Sequence, residues 1–229
     1  THYPETVAIA KTITHQEAKL DQQQSDAVHV PNLAKDLLEQ ISFEARESEY
    51  IDAKSGVSAR MSITAYENLL STAERRALLS GSDKTSVRLS DFMGIIPAIT
   101  GKVELVYEGE QEGAAVVAQY LIADAIKTFF PAYFPKIEKL ERDADTSPYA
   151  KILEWFFAET GFELLDDATD EEYKKQLDAV TPLEDLIQKY QPEFPTEDKY
   201  FLKEFVLWGL VEYDKLSKDR VDVGYQFKD

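Results

Sequence analysis

The sequence predicts an all-α protein built in two helical blocks, and three observations carry that prediction. Apolar residues recur at helical rather than alternating spacing along most of the chain. Only nine glycines interrupt 229 residues, and most sit between the periodic stretches. One segment, Val103 to Tyr107, alternates apolar and polar residues as a strand does; a lone strand has no pairing partner, so this segment too is expected to be helical.

Each element follows in order. From Glu5 to Asp21 the residues Val7, Ile9, Ala10, Ile13 and Ala18 fall mostly at helical spacing, and Pro4 suits a first turn. Gln22-Gln23-Gln24-Ser25-Asp26 reads as a polar interruption. A second helix opens after Val30 with Pro31 at its start, and Leu33, Leu37, Leu38, Ile41 and Ala45 line one face through to Glu49. Lys54-Ser55-Gly56 is a turn. Ser58 or Ser62 caps a third helix, whose inward face is Ile63, Tyr66, Leu69, Leu70, Ala73, Ala77 and Leu78. Gly81-Ser82-Asp83 ends it. Thr85 to Leu89 is short and β-prone, and Ser90-Asp91 caps a fourth helix carrying Phe92, Ile95, Ile96 and Ile99, kinked by Pro97.

The composition then shifts. Glu108 to Gly113 is acidic and glycine-flanked and reads as a linker, which divides the chain into a helical domain at 1–107, the linker at 108–113 and an aromatic-rich helical domain at 114–229. Helices are expected at 114–130, 147–160, 170–179, 183–190 and 197–216. Thr169-Asp170-Glu171-Glu172 and Thr181-Pro182-Leu183-Glu184 are strong helix starts, because their acidic first turns complement the helix dipole.

Charge narrows the functions. Acidic residues number 43 against 25 basic ones, for a net charge of −18. Such a surface repels phosphate backbones, so neither nucleic acid nor an anionic membrane is an expected partner. No apolar run approaches the roughly 20 residues that span a bilayer. The chain has no cysteine, which removes disulfides and thiolate metal sites and suits the cytoplasm. His2, His15 and His29 are scattered, and the acidic runs lack the spacing of a Ca²⁺ loop, so no metal site is expected. Thr1-His2-Tyr3-Pro4 is neither an initiator methionine nor a signal peptide, and reads as the start of an internal or C-terminal piece of something longer.

No complete active site is legible. Gly94 to Lys102 comes nearest to a phosphate loop, but six residues separate its glycines and Val103 stands where a Mg²⁺-binding hydroxyl belongs. Arg60 is more informative. In Ser55-Gly56-Val57-Ser58-Ala59-Arg60 it sits at the start of the third helix, where a cation opposes the positive end of the dipole. Two readings are open at this point. A helix start with a guanidinium cradles a phosphate oxygen, or Arg60 simply pairs with Glu49 or Asp52.

The order of motifs resembles the helical lid of AAA+ ATPases of the magnesium chelatase/MoxR type. The matching segments are Val28-His29-Val30-Pro31, Glu44-Ala45-Arg46-Glu47, Gly56-Val57-Ser58-Ala59-Arg60, Ala77-Leu78-Leu79-Ser80-Gly81 and Val87-Arg88-Leu89-Ser90-Asp91-Phe92. The stretch Lys102 to Glu110 is similar to bacterial proteins labelled magnesium chelatase-like. The resemblance implies an AAA+ lid bundle followed by a second helical domain of unattached role. It makes Arg60 the second sensor, contacting the γ-phosphate, with Ser58 and Ala59 in the same nucleotide-binding turn. The family has proline where Ala59 stands, which leaves the approach to the arginine less rigid.

ATP and Mg²⁺ would then belong to a full-length parent, with no cofactor held by this chain alone. Its partners would be an upstream AAA+ core, other copies in a ring, and a protein substrate. The alternative is a non-enzymatic helical interaction module, docking through Trp155, Phe156, Phe157 and Trp208 or using these residues simply as core.

Overall fold

The computed structural model describes residues 2–137, 147–158 and 161–228. Helices dominate, with eleven α-helices among the described residues, but five short strands form two small sheets. The protein is therefore mostly helical rather than all-α. Two compact units divide between Ala125 and Ile126.

The first unit is built around α4 (Arg60–Leu79), a 20-residue helix. Met61, Ala65, Leu69, Leu70, Ala73 and Ala77 are buried along it. Packed on it are α1 (Val7–Glu17), α2 (Gln22–Ala27), α3 (Asn32–Glu47), a 3-10 segment at Leu89–Ile95 and α5 (Ile96–Thr100). Thr6 caps α1 by accepting the Ile9 N–H at 3.3 Å. Leu33, Leu37, Leu38 and Ile41 of α3 are each no more than 2% exposed, and full burial of such a side chain stabilises by about 1.5–3 kcal/mol.

Several expectations change here. The glutamine-rich interruption is helix α2: Asp21 caps it by accepting from Gln23 N at 2.7 Å, and Gln24 Nε2 donates to Glu74 at 2.8 Å. Leu78, expected inward, is 73% exposed, whereas Ser62 and Arg76 are buried. Pro97 does not kink a helix; it stands in the first turn of α5, where its missing N–H costs nothing, after the preceding turns have tightened to 3-10 geometry.

The β-prone stretch does form a strand. β1 (Val28–His29) pairs in parallel with β2 (Thr85–Ser86), in register Val28 to Thr85. The segment expected as helix at 103–107 is extended up to Val106, because it does have a partner: Leu105 bridges Ile51, Asp52 N donates to Glu104 O at 2.8 Å, and Val106 N donates to Tyr50 O at 3.0 Å. The acidic segment read as a linker carries α6 (Tyr107–Glu112). Gly109 lies against the Tyr50 carbonyl so closely that a Cβ would overlap it. Helix α7 (Ala114–Tyr133) follows and contains the division between the units.

The second unit centres on α11 (Lys199–Glu212), in which every residue from Phe201 to Leu210 is buried. Phe130 meets Phe134, Phe205, Tyr149 and Tyr213 at ring separations of 5.5–6.0 Å. Helices α8 (Ala150–Ala158), α9 (Asp170–Ala179) and α10 (Pro182–Tyr190) complete the helical part. The capping box foreseen at Thr169 is present, with Thr169 and Glu172 exchanging hydrogen bonds. The expected helix at 197–216 stops at Glu212, and an antiparallel sheet follows, in the order β3 (Phe162–Leu164), β5 (Gly224–Lys228), β4 (Ser217–Val221).

Candidate functional site

The arginine turn is a local product of its sequence. Asp52 closes the preceding turn, accepting Lys54 N at its carboxylate and Ser55 N at its carbonyl. Gly56 adopts φ +71°, a left-handed conformation that favours glycine. Val57 then buries its side chain to 1% exposure and anchors the turn in the core. Ser58 Oγ accepts the Arg60 N–H at 3.3 Å. Ala59, at the cap position, has no side-chain acceptor to offer α4.

Arg60 itself is exposed. Among the described residues its guanidinium has no ion pair, and neither Glu49 nor Asp52 reaches it. The pairing alternative is thereby removed. An unpaired cation in the first turn of a helix opposes the dipole by about 0.3–1 kcal/mol. Ser58, Ala59 and Arg60 lie together on one exposed corner, with Arg60 in the first helical turn.

A second group of residues braces this corner. The Tyr3 hydroxyl accepts the Val57 N–H at 3.1 Å and packs on Gly56. Arg46, from the last turn of α3, stacks on the rings of Tyr3 at 4.4 Å and Phe43 at 5.0 Å. Burial pulls its guanidinium below the usual arginine range, against the pull of Tyr3 and Glu39.

Arg76, just before the Ala77–Gly81 segment, forms a buried ion pair with Asp91 of the Val87–Phe92 segment. Arg76 donates to both carboxylate oxygens of Asp91, at 3.2 and 2.9 Å, and also to Thr85 Oγ1 and the Ser86 carbonyl, each at 2.8 Å. Asp91 additionally accepts the Arg88 N–H at 2.8 Å. The Val28–Pro31 segment is tied to the same place through β1–β2 and through Val87 N donating to His29 O at 2.9 Å.

The proposed aromatic docking patch does not assemble. Phe156 and Trp208 are each 2% exposed, so they are core, and Phe157 stands out alone at 78%.

Sequence reasoning passed over Glu39. It is 2% exposed, at the boundary of the α3 core face. Burial pushes its carboxyl above the usual glutamate range, partly opposed by hydrogen bonds from Thr14 and Ser62 and by the charges of Arg46 and Lys11. The available signal was weak: Lys35 stands four residues before it, which reads as an ordinary surface pair.

Comparisons with protein-family models, with curated proteins and with solved structures give no match.

Proposed function

We propose that this chain is the C-terminal part of a magnesium chelatase/MoxR-like AAA+ ATPase, in which the first unit is the lid and couples nucleotide state to movement of a ring. The observation that carries the reading is Arg60: an exposed guanidinium, unpaired among the described residues, at the start of α4 in a Gly-x-Ser-x-Arg turn. Stability gives no reason for a cation there, whereas an arriving phosphate does. Support comes also from three motif segments of the resemblance, Val28–Pro31, Ala77–Gly81 and Val87–Phe92, which meet beside β1–β2 and the Arg76–Asp91 pair.

In this reading ATP and Mg²⁺ are held by an upstream core, and Arg60 supplies one positive charge to the γ-phosphate, with the Ser58–Ala59 backbone beside it. The arginine serves its own subunit's nucleotide or a neighbour's. The chain hydrolyses nothing alone, since it has no phosphate loop. Its task in the parent is to remodel a protein partner.

The sequence encoded ahead of Thr1 provides the first test. The reading requires a Gly-x-x-x-x-Gly-Lys-Ser/Thr loop there, and a parent without one overturns it. Arg60→Ala in that parent should then lower ATP turnover; unchanged turnover with unchanged assembly refutes the assignment of Arg60.

A further inference from the structure

Away from the arginine turn, α1, α3 and α4 line a half-open cavity of about 360 Å³. That volume lies at the lower end of the roughly 300–1,000 Å³ typical of small-molecule pockets. Leu38, Ala8 and Tyr66 supply apolar wall. Leu38 and Tyr66 are themselves buried, at 2% and 7% exposure, and form its floor, while Ala8, Thr12, His15 and Gln16 stand at an open rim. Glu39 lies in the lining with its carboxyl nine-tenths buried and engaged by Thr14.

The charge around this cavity runs against that of the molecule. The chain carries −18, yet the lining holds Lys11 and Lys35 against the single carboxylate of Glu39. Lys11 is already held by Asp36 at 2.6 Å and by Asn32 at 2.9 Å. The side chains of Lys35 and His15 have no hydrogen bond or ion pair with any described residue. Two ammonium groups against one carboxylate favour an anion over an amine in this lining. The Glu39 carboxyl is already engaged by Thr14 and Ser62, and it faces a ligand as a hydrogen-bond acceptor.

We propose that this cavity binds a small organic carboxylate with a compact apolar body. The ligand's carboxylate is met by Lys35, with Lys11 adding to the positive field. Its body lies on Leu38, Ala8 and Tyr66, and a hydroxyl on that body is matched by Glu39 and Thr14. The site is independent of Arg60, and it stands whether or not the chain belongs to an ATPase.

The test uses three probes of one shape on the 229-residue chain: benzoate, neutral benzamide and cationic benzylamine, each titrated while amide and methyl resonances are followed by NMR. Benzoate should shift Leu38, Thr14 and Ala8 saturably. Benzamide should bind about tenfold more weakly and benzylamine should not bind there at all. Lys35→Ala should weaken benzoate by about tenfold and leave benzamide unchanged, and Lys54→Ala, in the exposed turn, should change neither. Three results overturn the proposal: no saturable shift with benzoate, equal binding of benzoate and benzylamine, or benzoate affinity indifferent to Lys35→Ala in a variant whose spectrum is otherwise native.

Discussion

The Arg76–Asp91 pair offers the sharpest prediction about what holds the first unit together. Both side chains are buried, at 5% and 4% exposure, and the guanidinium makes four hydrogen bonds to Asp91, Thr85 and Ser86. Asp91→Ala removes the counter-charge and leaves the guanidinium in the core, with Arg88 N losing its acceptor as well. Breaking one side of such a pair costs about 3–5 kcal/mol, most of it the penalty of an uncompensated charge. That is a large share of the roughly 5–15 kcal/mol that holds an ordinary domain.

Replacing both partners, as Arg76→Met with Asp91→Leu, should cost about 1–3 kcal/mol less than the sum of the single changes, because neither charge is then stranded. Urea titration followed by helical circular dichroism reports both units, and the part of its transition that fluorescence does not share measures the first. Trp155 and Trp208 both lie in the second, so tryptophan fluorescence reports that unit alone. Asp91→Ala should move the dichroism transition earlier. A cost below about 1 kcal/mol, or additive single changes, would refute the reasoning.

Three further outcomes follow from the structure. For Glu39 the folded carboxyl binds its proton more tightly than the unfolded one, so the stability it withholds at neutral pH is regained as pH falls through its raised folded value towards the ordinary 4.5. Glu39→Gln should abolish that part of the pH dependence, and identical stability-against-pH curves for the two proteins would count against it. Gly209 sits in α11 against the Phe130 ring, where a Cβ would overlap ring carbons; Gly209→Ala should destabilise the second unit by about 1–3 kcal/mol in a fluorescence-monitored melt, and a neutral change would contradict the packing. Lys218 lies over the Trp208 ring at 3.3 Å, where burial brings its ammonium down to about 8 against the pull of Glu212 and Glu204. Its side-chain carbon resonance should titrate near pH 8, and a midpoint near 10.5 would show that the ammonium is not buried.

What was legible in the sequence depended on local chemistry. Helices α3, α4, α9 and α10 announce themselves through apolar period, Pro31 and Pro182 at two starts and the capping box of α9, although neither Ser58 nor Ser62 stands at the cap position of α4, which Ala59 occupies. Strands β3, β5 and β4 do not. They are three to five residues long, and β3 pairs Phe162 with Phe227, a partner far along the chain that no local window sees. Their hairpin turns at Asp222-Val223, without the Asn-Gly or Asp-Gly that usually signals such a turn. Helix α2 was hidden because five polar residues and one alanine have no apolar period; a cap at Asp21 and a hydrogen bond to Glu74 hold it.

At the candidate site the same division holds. Arg60 was visible because a helix start is a local feature, and its want of a partner could be seen only in three dimensions. The cavity was invisible, since Thr14, Leu38, Glu39 and Tyr66 come from three helices that only packing brings together. Leu78 failed in the other direction: its spacing fits the buried face of α4, but the core ends at Ala77 and the last turn runs past it.

The central claim is that Arg60 meets a nucleotide phosphate, and steady-state ATP turnover by the full-length parent, with Arg60→Ala, Arg60→Lys and Lys54→Ala compared side by side, tests it most directly. Loss of a preorganised donor to developing charge costs on the order of a hundredfold in turnover. Arg60→Ala should therefore fall by about that much, Arg60→Lys should recover part of the loss, and Lys54→Ala should match the parent. Full turnover in Arg60→Ala, from rings that assemble normally, would contradict the claim.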